Sequence, residues 1–95
     1  MTIIQHSKPA WVSDSDPSSE VSMDLRRYLR HGMEPLPDIE AVLQELRPCQ
    51  VFHLRTEREP ILLYPMFMRM NFERFSNGSA DGWDVYLRKC PAGKV

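Results

Sequence analysis

The chain has 95 residues, with 12 Lys and Arg against 13 Asp and Glu and a formal charge of −1. That length supports one domain with a single small core. The near-neutral charge gives no general reason to expect nucleic acid or an anionic membrane as partner. No charged stretch followed by an apolar one marks a signal peptide, and no apolar run is long enough to suggest a membrane span.

Residues 1–20 read as a flexible tail. Ser, Asp and Pro dominate from Ser13 to Ser19, and no period is sustained. Ile3, Ile4, Trp11 and Val12 are its apolar exceptions, able to dock on the domain or on a partner. The folded domain is expected over residues 21–90, with 91–95 as a short second tail.

Val21 to Arg26 alternates as a strand, with Met23 and Leu25 on one face and Asp24 and Arg26 on the other. The stretch His31-Gly32-Met33-Glu34-Pro35-Leu36-Pro37-Asp38 then opens a helix, and Pro37 suits its first turn because its missing N–H costs nothing there. Ile39, Val42, Leu43 and Leu46 recur at i, i+3, i+4 and i+7, which makes one apolar helix face. Arg47-Pro48 stops it. Gln50 to Thr56 is a second strand, with Phe52 and Leu54 inward and Val51, His53 and Arg55 outward.

After the polar turn Glu57–Pro60, Leu63, Met66, Phe67 and Met70 repeat the helical spacing. Pro65 fits only if it sits in the first turn, with Ile61–Leu63 as an irregular approach. Met68 is left exposed. Phe72 to Phe75 is a third strand, and Asn77-Gly78 through Asp81-Gly82 supplies hairpin turn chemistry. Trp83 to Arg88 alternates strictly as the fourth strand.

The order is βαβαββ. The first two strands, joined through a helix, should be parallel neighbours with a right-handed crossover. The last two form an antiparallel hairpin. The economical arrangement is a two-layer α/β sandwich of the α+β kind. It has a four-stranded mixed sheet of order 1-2-4-3 and two helices on one face. One sheet edge then gathers the start of the first helix, the Glu57–Pro60 turn and the start of the fourth strand. His31, Glu34, Pro35, Pro37, Arg58 and Trp83 fall there, at the kind of edge where open α/β sheets bind ligands. The opposite edge brings Cys49 and Cys90 near each other.

Met23-Asp24-Leu25-Arg26 followed by Met33-Glu34-Pro35-Leu36-Pro37 resembles the opening of the TusA/SirA-like sulfur-carrier proteins. Their pattern is a Leu-Asp strand, then Cys-Pro-x-Pro at a helix start. Arg58-Glu59-Pro60, Leu63-Tyr64-Pro65 and Gly82-Trp83-x-Val85-x-Leu87-Arg88-Lys89 resemble more closely a bacterial domain family of unassigned function related to those carriers. The resemblance runs from Met23 to Lys89 and implies the same βαβαββ fold. The carriers hold a persulfide on the motif cysteine, where a helix start lowers the thiol's pKa. Glu34 occupies that position here, and a carboxylate cannot hold a persulfide. The resemblance therefore implies a non-catalytic interaction or regulatory domain that has lost the nucleophile.

The other candidate chemistry is sparse. Glu34, Asp38 and Glu40 place negative charge where the helix dipole favours it, and Glu34 reads as a capping group or as part of a docking loop with His31 and Arg58. Two residues of the His31 and Glu34 type are too few for a metal site, so neither metal nor cofactor is expected. Cys49 and Cys90 sit at no helix start and in no Cys-x-x-Cys motif. They read as reduced cytoplasmic thiols, with a disulfide, a redox role or sulfur transfer as the alternative. The open sheet face offers Arg26, His53, Arg55, Tyr86 and Arg88 among Asp24 and Asp84. Bases and an aromatic on a sheet can bind single-stranded RNA, but the aspartates and the low net charge favour a face that is solvated or covered by a partner or a second copy, with RNA binding as the alternative. The expected molecule is a cytoplasmic monomer or weak dimer that binds a protein partner at the His31–Trp83 edge and is not an enzyme.

Overall fold

A computed structural model describes residues 8–13 and 20–90. Ile3, Ile4, most of the Ser13–Ser19 stretch and the 91–95 tail lie outside the described residues. The elements are α1 (Ala10–Ser13), β1 (Val21–Asp24), α2 (Leu25–Arg30), α3 (Leu36–Glu45), β2 (Phe52–Thr56), a 3-10 turn (Ile61–Leu63), α4 (Tyr64–Arg69), β3 (Glu73–Ser79) and β4 (Gly82–Arg88).

The sheet has the expected order β1-β2-β4-β3. β1 runs parallel to β2, with Met23 beside Leu54. β4 runs antiparallel to both neighbours, with Val85 facing Leu54 and Ser76. Alternation sends Phe52, Leu54, Val85 and Leu87 to one face, where all four are fully buried. Ile39 and Leu43 of α3 and Phe67 of α4 close over them in a single core. Both long crossover helices therefore cover the same face.

Three local expectations need correction. The first strand ends at Asp24 rather than Arg26, because the Asp24 carboxylate accepts the Arg26 backbone N–H at 3.0 Å and caps α2. A short acidic side chain that satisfies a free helix N–H competes directly with strand pairing. α2 then ends at Arg30 with His31 as its cap, followed by Gly32, whose φ of +66° suits glycine. Met33 N–H bonds back to Tyr28 and Gly32 N–H to Leu29, a six-to-one and five-to-two closure of the helix end. His31-Gly32 is thus a helix terminator.

The second correction is the hairpin. β3 runs straight through Asn77-Gly78, and the chain reverses over Ala80-Asp81 between the paired Ser79 and Gly82. Gly78 is used for space instead of turning: a Cβ there would stand 2.6 Å from the Trp83 indole. The third concerns the cysteines, which are joined in a disulfide with Cα atoms 4.5 Å apart. They are not the pair of reduced thiols that a cytoplasmic reading implies.

Pro65 does sit in the first turn of α4, and Ile61–Leu63 precedes it as a 3-10 turn. Met68 is exposed, as its position outside the apolar face requires.

β3 lies at the sheet edge and shows polar residues to the helix side. Arg74 lies over the Tyr64 ring, 3.6 Å from its centroid. The Tyr64 hydroxyl meets Ser76 Oγ at 2.9 Å and donates to Glu59 at 3.1 Å. Charged and hydroxyl side chains at an edge strand discourage pairing with another sheet.

The opposite face of the sheet is partly covered by the chain itself. Val12 of α1 is buried, and the Trp11 ring lies 4.9 Å from the guanidinium carbon of Arg88. Val51, which alternates toward this face, is also buried.

Candidate functional site

The edge singled out by sequence is built from two helix entries. Glu34 Oε1 accepts the Leu36 N–H at 3.2 Å, occupying a donor that α3 leaves unpaired at its start. Pro35 is the N-cap residue and Pro37 falls within the first turn. Tyr28 of α2 donates its hydroxyl to Asp38 at 2.7 Å, tying α2 to the first turn of α3. The hydrogen bond to Asp38 is the main cause of a raised Tyr28 pKa, since losing the phenolic proton would break it. Glu34 is thus a capping group at the position where the resemblance places a cysteine.

On the other side of the same edge, β2 ends at Thr56. This residue is buried, and its hydroxyl donates to the Arg58 carbonyl. Thr56 pairs with Trp83 at the start of β4. The indole lies against Gly78 of β3 and is half-buried. His31, Glu34, Pro37 and Arg58 are exposed and Pro35 is half-buried. β1 and β2 end, and β4 begins, at one end of the sheet; Arg58 and Trp83 adjoin those strand termini, and His31, Glu34, Pro35 and Pro37 follow the end of β1 through α2.

What the sequence did not single out at this end is apolar. Leu29, Met33, Leu36, Ile61 and Leu62 are all exposed, Leu62 at 89% and Leu29 at 62%. Leu29 lies in α2, Met33 in the α2–α3 connection and Leu36 at the first position of α3, while Ile61 and Leu62 lie in the 3-10 turn before α4. Leu62 departs from the helical period of α4, and that departure was the available signal.

A second cluster crosses β2 and β4 on the open face. Arg55 Nη1 lies 2.7 Å from both Asp84 carboxylate oxygens. His53 Nε2 pairs with Asp84 Oδ1 at 2.6 Å, and because a carboxylate only accepts, Nε2 carries the proton. The His53 ring stacks on Tyr86, with centroids 4.6 Å apart. Glu20 Oε1 stands 4.0 Å from His53 Nδ1. Burial alone would raise the Asp84 pKa, but the bonds from Arg55 and His53 outweigh it, and the result is a lowered value. Burial, followed by the charges of Asp84 and Glu20, raises that of Tyr86.

The same pairing recurs around this cluster. Asp24 binds Arg26 through two side-chain bonds, 2.9 and 2.7 Å. Arg88 meets Glu73 at 3.0 Å. The bases expected to make this face cationic all meet acids, Arg26 with Asp24, Arg88 with Glu73, and Arg55 and His53 together with Asp84. The Arg26 hydrogen bond, the largest influence, lowers the Asp24 pKa.

A group whose folded pKa is lowered stabilises the fold above its unfolded pKa, and the contribution disappears as pH falls through the folded value. Asp24 and Asp84 both belong to this class. Stability is therefore expected to be flat from neutral pH to the ordinary Asp range, about pH 4, and to fall on further acidification. Asp84→Asn flattens that acid limb. Urea midpoints measured against pH, for wild type and D84N, check this.

Cys49 and Cys90 join the turn before β2 to the end of β4, and Cys49 N–H donates to the Lys89 carbonyl at 2.9 Å. Among the described residues, no group of three His, Cys, Asp or Glu side chains is arranged to hold a metal ion. Among the same residues, no helix is long and apolar enough to cross a membrane. The chain matches no known family model, no curated protein and no solved structure.

Proposed function

We propose that this is a small non-catalytic interaction or regulatory domain, related to the TusA/SirA-like sulfur carriers but without their nucleophile. A protein partner docks on the edge where α3 and α4 begin. The observation that carries the reading is the exposure of Leu29, Met33, Leu36, Ile61 and Leu62, in the segments that also carry His31, Glu34 and Arg58. Large exposed apolar side chains interspersed with polar ones are what a docking surface needs. Glu34 supports the loss of sulfur chemistry, because its carboxylate caps α3 instead of presenting a thiol.

The test is loss of partner capture. Leu62→Asp should abolish recovery of a partner from the native host, while Met68→Asp should not. Met68 is comparably apolar and 70% exposed, but lies within α4 away from the edge.

A redox role for Cys49 and Cys90 is the second reading, favoured by their being bonded to each other. A bonded pair does not hold a persulfide, so this reading is thiol–disulfide exchange and not sulfur transfer. It also bears on location: a lasting disulfide belongs to an oxidising compartment, and a cytoplasmic one is transient. RNA binding draws less support, since the open-face bases are paired with acids and α1 occupies part of that face. In the absence of its partner the domain is a monomer or a weak dimer.

A further inference from the structure

At the end of the molecule away from the docking edge, a groove of about 760 Å³ opens where α3 and α4 finish. Its apolar lining comes from Leu43, Leu46, Met70 and Phe72, with Arg47 and Lys89 as its charged members. Leu43 and Phe72 belong to the buried core, and Leu46 and Met70 pack against it, so the groove runs directly onto that core. The volume lies within the range of about 300–1,000 Å³ typical of small-molecule sites.

The charge pattern says what fits. Both charged lining residues are cations, and no acid lines the groove among the described residues. That is not a consequence of composition, because acids outnumber bases in the chain. The backbone that carries each cation is anchored. Arg47 belongs to a closed turn, its N–H bonded to Gln50 Oε1 and its carbonyl to Gln50 N–H. Lys89 Nζ lies 5.5 Å from the centroid of the Phe72 ring. Two bonds hold these segments together: the Cys49–Cys90 disulfide, and the Cys49 N–H to Lys89 carbonyl hydrogen bond.

We infer that this groove binds a small amphipathic anion, an acyl chain ending in a carboxylate. The chain lies along Leu43, Leu46, Met70 and Phe72, and the carboxylate sits between Arg47 and Lys89. Paired cations can hold a carboxylate through charge-assisted hydrogen bonds, and the apolar stretch gains from leaving water. The site is separate from the proposed protein-docking edge and does not depend on it.

The probe is decanoate, kept below its micelle concentration and titrated into the isotopically labelled protein. Saturable shifts are expected at Leu43, Leu46 and Met70 and at the Lys89 amide. Decanol, with the same chain and no charge, should bind at least about tenfold more weakly, as loss of one well-placed charge interaction of this size implies. Arg47→Gln/Lys89→Gln should bring decanoate down to the level of decanol. Unchanged Val85 signals would show that this variant is folded. Absence of saturable shifts in the groove overturns the inference. So does equal binding of decanol, or undiminished binding by the variant, either of which would leave Arg47 serving only the end of α3.

Discussion

Removing the disulfide, as Cys49→Ser/Cys90→Ser, should destabilise the protein by about 4 kcal/mol on the chain-entropy estimate for a 41-residue separation. That is a large fraction of the roughly 5–15 kcal/mol that holds a typical domain together. For a domain of this size it corresponds to a fall in melting temperature of about 15–30 °C. The reason lies in where the bond falls. It joins the entry to β2 with the exit from β4, the two central strands. Without it, the unfolded chain regains the freedom of everything from β2 through α4 to the last hairpin. Calorimetry of wild type with and without reductant, beside the double variant, checks it. Equal melting temperatures in all three would show that the bond does not form in solution.

Gly82→Ala should cost about 2–5 kcal/mol, combining the backbone strain of a side chain at positive φ with a steric clash. Gly82 has φ +133°, and a Cβ there would stand 2.6 Å from the Thr56 carbonyl oxygen. That oxygen belongs to the backbone of the neighbouring strand, so relief requires moving β2 or β4. Gly32→Ala is the control. Its φ is +66°, but nothing lies within 4 Å of the added carbon. Only the left-handed conformation is penalised there, by about 1–2 kcal/mol. Urea denaturation should therefore rank G82A well below G32A. The reverse order would mean that the close approach of β2 and β4 is misplaced. Because Trp83 follows Gly82 and pairs with Thr56, G82A should also disturb the docking edge.

The sheet was readable wherever one face is buried and the other is not. Trp83 to Arg88 alternates strictly because Val85 and Leu87 enter the core, with half-buried Trp83 preceding them at the same spacing, while Asp84, Tyr86 and Arg88 face outward. α3 was readable because Ile39 and Leu43 are buried at helical spacing. α2 was hidden because Met23 and Leu25 continue a strand alternation, and only the cap made by Asp24 turns Leu25 into a helix. Asn77-Gly78 misled because glycine has two uses, a turn and a close approach, and here Trp83 claims the second.

The candidate site divides the same way. Strand order alone brings Arg58 and Trp83 to one edge, beside the end of β2 and the start of β4, whereas His31 and Glu34 are reached through α2, which the strand alternation hides. The exposed Leu62 and Ile61 leave one signal in the sequence, the departure of Leu62 from the apolar spacing of α4, and a departure beside a proline turn marks an irregular approach as readily as a site. The Arg55–Asp84–His53 cluster joins positions 29 and 31 residues apart. It depends on the register of β2 against β4, which alternation does not specify. The docking of α1 rests on Trp11 and Val12 in a four-residue helix, too short to show a pattern.

The central claim is that the edge at the start of α3 and α4 is a protein-docking surface. Photo-crosslinking in the native host, with a photoreactive residue at position 62 or 68, tests it most directly. One discrete protein adduct is expected from position 62, lost when Met33→Asp is added, and none from position 68. Equal labelling from both positions, or an adduct indifferent to Met33→Asp, would contradict it.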